Sequence, residues 1–527
     1  MKKPYAMMMT GLLSVALLAG CTSGNGNTNV PTPGTAGEGN TPESTNEQTE
    51  QAELPSKTFT ALLDNNATFP YTEDWPFWTW LKDQTGVTLD VQTPSGKLGE
   101  SLNLAIASNN LPDLMYMPNR RESNKFGQQG ALVDILEYVD QMPNLTAWMA
   151  EYPDEAKAAL SAEGKMYMFP NQGFGETNRM IWLYRQDIFE AEGLEAPATF
   201  DELYDALKTL KAKYPHTYPL SLRYGQIPDE MNINLAVNYG IGEGAYYDFD
   251  AGEWLYGPVQ DNYKELVTMW KKFYDEGLIP PDFLSLQTKQ WQDMMSTSQA
   301  FVTIDYISRV DFFNNAMQKD EPNYNMQFMA PPAGVSGVEQ HNPYLHYMEG
   351  GLTVASTSKQ IEDIMQYMDF FYSEEGRIMT SWGVEGETFE KEGDTYKFKP
   401  EFTDVTEMRK QTGLQTSGTY TWIDYNAHLS LFSEDLQRAY TEAAKYDPDN
   451  MQPRPAFTEE ENEVISLTGQ AIKKHRDESF AKFVTGSRDL AEWDKYVAEL
   501  ENLGVPKLLE TYKTAYERLQ NVELKVN

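Results

Sequence analysis

The chain has 527 residues, with 42 Lys and Arg against 79 Asp and Glu, a formal charge of −37. That excess argues against a nucleic-acid or anionic-lipid partner held by a basic surface, because phosphates would be repelled. Hydrophobic residues at 40% and aromatics at 13% exclude general disorder, and one cysteine excludes internal disulfides, multi-thiolate zinc sites and iron–sulfur clusters.

In chain order, Lys2 and Lys3 precede an apolar run over residues 6–19 that is too short to span a bilayer comfortably. It is expected to be a secretory signal peptide over residues 1–20. The run ends Leu18-Ala19-Gly20-Cys21, and small residues before a cysteine at this place resemble the bacterial lipoprotein signal. The resemblance implies that Cys21 is lipid-modified; the chain's one cysteine stands where a thiol would be acylated. Residues 22–54 are Gly, Asn, Thr, Pro, Ser, Glu and Gln with almost no large apolar side chains, which predicts a disordered linker. No later stretch reaches 18 apolar residues.

From about residue 55, strand and helix signals alternate. Residues 58–63 form a short apolar run; Trp75, Trp78 and Trp80 crowd the start of a helix; Val87, Leu89 and Val91 alternate with polar residues. Further strand-length runs are LMYM at 114–117, MIWLY at 180–184, FVTI at 301–304 and LTV at 352–354. Thr199 and Glu202 have capping-box spacing before Leu203, Ala206, Leu207 and Leu210, which predicts an amphipathic helix. Helices are also expected through Ile364, Met365, Met368, Phe371 and Tyr372, through Trp493, Val497 and Leu500, and through Leu508, Tyr512, Ala515 and Leu519. Strands alternating with helices predict an α/β architecture, at this length as about three domains or two large lobes.

The sequence carries no P-loop, no G-x-S-x-G elbow and no H-E-x-x-H. Of the five histidines only His341 and His346 are close, with Pro343 between them, so a histidine metal site is not expected. Residues 247–254 (YDFDAGEW) have some features of a calcium loop, but the glycine is one place early and the bidentate Glu is missing, so a β-hairpin turn is expected. A glycosidase carboxylate pair can be identified only from its separation in space. Ligands in α/β sheets bind beyond the carboxyl ends of strands, which picks out Asp64, Asn65 and Asn66; Asn119, Arg120 and Arg121; Arg185; and Asp305 and Tyr306. Tryptophans near such loops suit sugar rings, whose apolar C–H faces stack on an indole while Asp, Asn, Glu and Arg bind the hydroxyls. Trp80, Trp270 and Trp493 are expected in the core.

Several stretches then point one way. Trp80-Leu-Lys-Asp-Gln-Thr-Gly-Val87, Leu102-Asn-Leu-Ala-Ile-Ala-Ser-Asn-Asn-Leu-Pro-Asp-Leu114, Gly130-Ala-Leu-Val-Asp134, Gly164-Lys-Met-Tyr-Met-Phe-Pro170, Trp182-Leu-Tyr-Arg-Gln-Asp187, Pro197-Ala-Thr-Phe-Asp-Glu-Leu203, Tyr372-Ser-Glu-Glu-Gly376 and Gly383-Val-Glu-Gly386 occur in that order. Together they resemble the large, carbohydrate-type extracellular solute-binding lipoproteins of Gram-positive ABC importers. The resemblance covers essentially all of residues 55–527.

It implies a two-lobe, periplasmic-binding-protein-like (type II) α/β fold with hinge-crossing segments and a helical C-terminal region. The expected lobes are residues 55–171 plus 332–380 and residues 172–331 plus 381–527, with crossings near residues 170–176 and 330–349. It implies an oligosaccharide in the cleft, delivery to permease subunits, a membrane link through the lipid anchor only, a monomer, no nucleic acid and no chemistry on the ligand. Trp75, Trp78, Asn119 and Arg120 are expected to serve from lobe one, with Glu349 near the hinge. Glu176, Arg185, Trp291, Asp305, Tyr306, Trp382, Trp422 and Asp424 are expected mainly from lobe two. No cofactor is expected. Many relatives carry a calcium loop after the helix matching 200–213, but this chain reads Lys213-Tyr-Pro-His-Thr-Tyr-Pro-Leu220 there, without carboxylates, so no metal is expected. The net charge favours a neutral sugar over an acidic one. The alternatives are a lipid-anchored glycosidase or polysaccharide lyase, and a peptide-binding lipoprotein of the same architecture.

Overall fold

In the computed structural model, residues 56–173, 179–223, 229–342, 347–348 and 350–524 are described. The signal segment, Cys21, the linker, Glu176 and Glu349 lie outside the described residues.

The apolar runs of the N-terminal part become one sheet of four strands, in the order Gly351–Val354, Leu114–Met117, Lys57–Leu62, Val87–Gln92. Lys57–Leu62 runs parallel to both Val87–Gln92 and Leu114–Met117, while Gly351–Val354 is antiparallel to Leu114–Met117. Every residue of Leu114–Met117 and Gly351–Val354 is buried, as continuous apolar runs covered on both faces should be. At the edge, Val87–Gln92 starts buried and then alternates between exposed and half-buried.

The helices start where the sequence supplies a cap. Pro76 opens Pro76–Thr85 behind Trp75, and Gly86, at φ 70°, ends it. The Thr199 hydroxyl accepts the Glu202 N–H at 3.2 Å ahead of Phe200–Lys213. Glu202 returns its carboxylate to the Ala198 N–H rather than to that of Thr199.

Farther along, Met180–Arg185 is the central strand of a second sheet, with Val302–Tyr306 and Met326–Phe328 antiparallel on either side. Alternate residues of the central strand face opposite ways: Trp182 enters one core with Phe200, Trp270 and Trp493, while Ile181 and Leu183 enter another with Trp291, Phe313, Leu436 and Tyr440. The expected hairpin is present as Ala245–Asp248 and Glu253–Tyr256; Asp248 Oδ1 accepts the N–H groups of Asp250 and Ala251, and Gly252 sits at φ 70°.

The first core gathers residues from 59–169 and then from 352–427, including Trp382, Met408 and Ala427. The C-terminal helix Val505–Gln520 buries Leu508 in the second core and packs Leu519 against the first. Three stretches of chain meet where the first sheet's side gives way to the second's. Asn171–Gln172 pairs antiparallel with Tyr347–Met348, and Gln172 bridges in parallel to Trp422. Gly173, at φ 102°, lies so close that a Cβ there would be 2.7 Å from the Ile423 carbonyl oxygen.

Candidate functional site

The carboxyl end of the Lys57–Leu62 strand runs into a loop made by short polar side chains. Asp64 Oδ1 accepts from Asn65 N–H, Asn66 Oδ1 from Thr68 N–H and Asn65 Oδ1 from Tyr71 N–H, all at 2.8–2.9 Å. This loop delivers the aromatic group of the first helix. Trp75 and Trp78 stack with centroids 6.3 Å apart, and Tyr71 packs against both. Trp75 is 5% exposed and donates its indole N–H to the Lys410 carbonyl, whereas Trp78 is half-buried.

Residues 413–419 fold over this end of the sheet. Gly413, at φ 79°, and Gly418, at φ 90°, let the backbone approach Trp75 and Leu63 so closely that a Cβ at either would sit 2.6 Å from the neighbouring side chain. A small recess of about 10 Å³, room for roughly one water, is lined by Asp64, Asn66, Phe69, Tyr71, Trp75 and Ser417 among others. Tyr116 lies beside it; burial raises its phenol pKa, and Ser417 is its hydrogen-bond partner. The Arg409 guanidinium is over the Phe69 ring, and burial pulls its pKa down to about 10.

A second aromatic group stands at the crossing strand. Gln172 N–H donates to the Thr421 carbonyl at 2.7 Å, and Ile423 N–H donates to the Gln172 carbonyl at 3.0 Å, which holds Trp422 beside the strand. Tyr152 meets the Trp422 ring edge-on at 5.9 Å, and the Arg377 guanidinium lies 4.5 Å from the ring centroid. The Trp382 indole N–H donates to Asp424 Oδ2 at 2.9 Å, and Asp424 also caps Tyr425–Leu429.

On the second sheet, Asp305 is fully buried and accepts from Arg223 at 2.6 Å and Arg309 at 2.9 Å. Tyr306 pairs with Met180, close to the first crossing, and carries Arg223 over its ring at 5.5 Å.

The expected site residues therefore separate. Trp75 joins Trp78, Trp382 joins Asp424 with Trp422 two residues away, and Asp305 joins Tyr306. Other expected residues are occupied elsewhere. Arg185 is fully enclosed, bound to Asp187 and Ser298 and 3.6 Å from the centroid of the Tyr324 ring. Strand direction sets it apart from Asp305. Met180–Arg185 and Val302–Tyr306 are antiparallel, so their carboxyl ends lie at opposite ends of the sheet; Asp305 pairs with Ile181, four residues from Arg185, about 13 Å along the strand. Asn119 caps Arg120–Gln128 by accepting the Glu122 N–H, and Arg120 donates to the carbonyls of Ala158 and Arg454. Trp291 is fully enclosed with its N–H on Thr303. Arg185 and Trp291 are fully enclosed, whereas Asn119 and Arg120 are half-buried with part of their hydrogen-bonding capacity used within the protein. Sequence reasoning missed Phe69, Tyr71, Tyr116, Ser417 and Arg377; Tyr71, between the polar turn and Trp75, is the one that aromatic spacing signals.

A larger open recess, about 460 Å³, lies around Ala198, His341, Tyr446 and Asp447 and holds none of the expected site residues. Among the described residues no helix is long and apolar enough to cross a membrane, and no cluster of three or more His, Cys, Asp or Glu is placed to hold a metal.

Comparisons with known proteins bear on the family and the fold. The chain is 25% identical to the lipoprotein LipO of Bacillus subtilis (strain 168) over 59% of this chain, and the match spans 63% of LipO's length. It is 22% identical to the fructooligosaccharide ABC transporter substrate-binding protein FusA of Streptococcus pneumoniae serotype 4 (strain ATCC BAA-334 / TIGR4), over 84% of this chain and 86% of FusA. The fold is shared with an HMO-binding, ABC-transporter-associated solute-binding protein from Bifidobacterium longum infantis ATCC 15697, at a TM-score of 0.73, 16% identity, 88% of this chain and 99% of that one. The model of the bacterial extracellular solute-binding proteins matches residues 56–378, and the chain belongs to that family.

Proposed function

We propose that this solute-binding protein captures an oligosaccharide, neutral rather than acidic, and hands it to an ABC importer. The chain is a binding protein and not an enzyme. The observation that carries the reading is the placement of aromatic rings beside polar groups on both sheets and at the crossing strand: Tyr71 and Trp75 beside Asp64 and Asn66, Trp422 beside Arg377, and Tyr306 beside Arg223. Ring faces supply affinity to sugar C–H faces, and polar edges supply discrimination, because a missing hydroxyl leaves a desolvated partner unpaired. A net charge of −37 supports a neutral ligand, although salt screens that charge beyond about 8–10 Å; the relatives divide, FusA being named for fructooligosaccharide and YtcQ of Bacillus subtilis (strain 168) for polygalacturonan/rhamnogalacturonan.

The clamp consists of two halves about the paired crossing segments. The first comprises residues 56–172 with 350 to about 427, a later boundary than residue 380, which the packing of Trp382, Phe398 and Met408 in the first core supports. The second comprises residues 179–342 with the chain from about 428. Closure is favoured by contacts that the ligand makes to both halves at once. Cys21 carries the lipid that tethers the protein, as a monomer, to the outer face of the cell membrane.

Calorimetry against neutral oligosaccharides, uronic-acid oligosaccharides and peptides tests the ligand class; no heat with any saccharide ends the reading. A sugar recovered shortened after long incubation would point instead to a glycosidase or lyase. Replacing Cys21→Ala should release the protein into the medium and abolish labelling by a palmitate analogue.

A further inference from the structure

We infer that Arg377 is a specificity-determining residue of the binding site, whose guanidinium edge takes a two-oxygen edge of the ligand, either a vicinal hydroxyl pair or a sugar carboxylate. The inference rests on the oligosaccharide reading and adds a residue that the sequence did not single out.

Its surroundings explain the assignment. Helix Glu374–Trp382 is fixed at its start: the Ser373 hydroxyl accepts the Gly376 N–H at 3.0 Å, and a Cβ at position 376 would be 2.0 Å from the Phe370 carbonyl oxygen. Arg377, the next residue, is therefore held where it lies over Trp422. Trp422 is in turn held by the bridge to Gln172 in the crossing strand. The side chain thus sits at the junction of the two halves.

Among the described residues the guanidinium lacks the carboxylate that six other arginines have. Arg179, Arg185, Arg223, Arg309, Arg476 and Arg518 each meet a carboxylate within 3.0 Å. Arg377 has no side-chain hydrogen bond and no carboxylate partner among the described residues, and its Nε is enclosed without an acceptor. Nearby Glu151 is engaged by the Tyr152 hydroxyl, whose pKa is raised to about 12, chiefly by burial and then by that bond.

An indole under a guanidinium covers its face and leaves the in-plane N–H groups to bond outward. Two parallel N–H groups match a carboxylate or two adjacent hydroxyl oxygens. A residue that only supported the fold would have its hydrogen bonds made internally, as Arg185 does.

The test uses the full chain with Arg377→Lys and Arg377→Met, titrated calorimetrically with the neutral oligosaccharides and with trigalacturonic acid. Arg377→Met should weaken the ligand that the wild type binds by about 10- to 100-fold, and Arg377→Lys, which keeps charge and stem but not the fork, by about 10-fold. Melting temperatures should stay within about 2 °C of wild type, since no internal hydrogen bond is lost. Loss on a neutral sugar assigns the hydroxyl pair, and loss on trigalacturonate assigns the carboxylate; either supports the inference. Affinities of both variants within about twofold of wild type overturn it. A wild type that binds no saccharide overturns the oligosaccharide reading itself, and the inference with it.

Discussion

Trp382 donates its indole N–H to Asp424, forty-two residues later, at 2.9 Å. The bond joins the end of helix Glu374–Trp382 to the start of Tyr425–Leu429, and the Asp424 N–H answers with a bond to Ser381 Oγ at 2.8 Å. Trp382 is 2% exposed, so its main contribution is to stability. Trp382→Phe should destabilise the protein by about 1–3 kcal/mol through the unmade bond. Asp424→Ala loses that bond and the helix cap, about 2–4 kcal/mol together. The double variant should cost less than the sum, because both remove the same bond. Urea denaturation measures all three, and sugar affinity of Trp382→Phe should stay within about threefold of wild type.

Arg185 provides the complementary case of an expected site residue that is internal. Arg185→Met leaves Asp187 without its ion pair and should cost about 3–5 kcal/mol of stability. Sugar affinity, measured calorimetrically on the folded fraction, should not change. A selective loss of affinity with stability intact would return Arg185 to the ligand.

His428 gives a pH dependence with a definite sign. It is buried, with Nδ1 3.2 Å from Gln415 Oε1, and burial, followed by the charge of Arg409, holds its pKa well below the ordinary value of 6.5. The folded state therefore keeps the ring neutral where the unfolded chain would protonate it. Above pH 6.5 both states are neutral and the residue imposes no penalty. Below it the unfolded state binds the extra proton, and stability falls by up to about 1.4 kcal/mol per pH unit until the folded-state value is reached. Urea titrations at pH 7, 6 and 5 should show this slope, and His428→Gln should flatten it.

The Lys213–Leu220 stretch lacks carboxylates, and His216 and Lys213 take their place in the sequence. Saturating calcium and excess EDTA should leave the melting temperature equal to within about 1 °C, because a ligand stabilises only by binding the native state. A calcium-dependent rise of several degrees would show a metal site elsewhere in the chain.

Much of the fold was legible because burial leaves a direct trace in sequence. LMYM is apolar because Leu114–Met117 lies inside the first sheet with all four residues buried, and LTV, on the edge strand beside it, is buried as well. The capping spacing of Thr199 and the helical repeat after it predict Phe200–Lys213. Trp80, Trp270 and Trp493 are 6%, 2% and 3% exposed, as amphipathic position suggested. The site was less legible. The carboxyl-end rule selects Asp64, at a lined recess beside parallel strands, but on the antiparallel sheet it selects Arg185 and Asp305 at opposite ends, because direction cannot be read from composition. Residues 413–419 reach Trp75 across more than three hundred positions, and two-residue strands such as Asn171–Gln172 have no period to detect. That Arg377 meets no carboxylate among the described residues is a property of space, not of order along the chain.

The fourth strand of the first sheet, Gly351–Val354, must also be considered in time. It covers Leu114–Met117, whose four residues are all buried in the finished protein. Synthesis reaches Met117 long before Val354; at about 5–20 residues per second the interval is roughly 12–50 s. Throughout it the nascent sheet has a bare apolar margin with unpaired N–H and C=O groups, open to pairing with any passing strand. The N-terminal half therefore cannot mature as the ribosome releases it, and a newborn chain depends on being held unfolded until its middle third has been made.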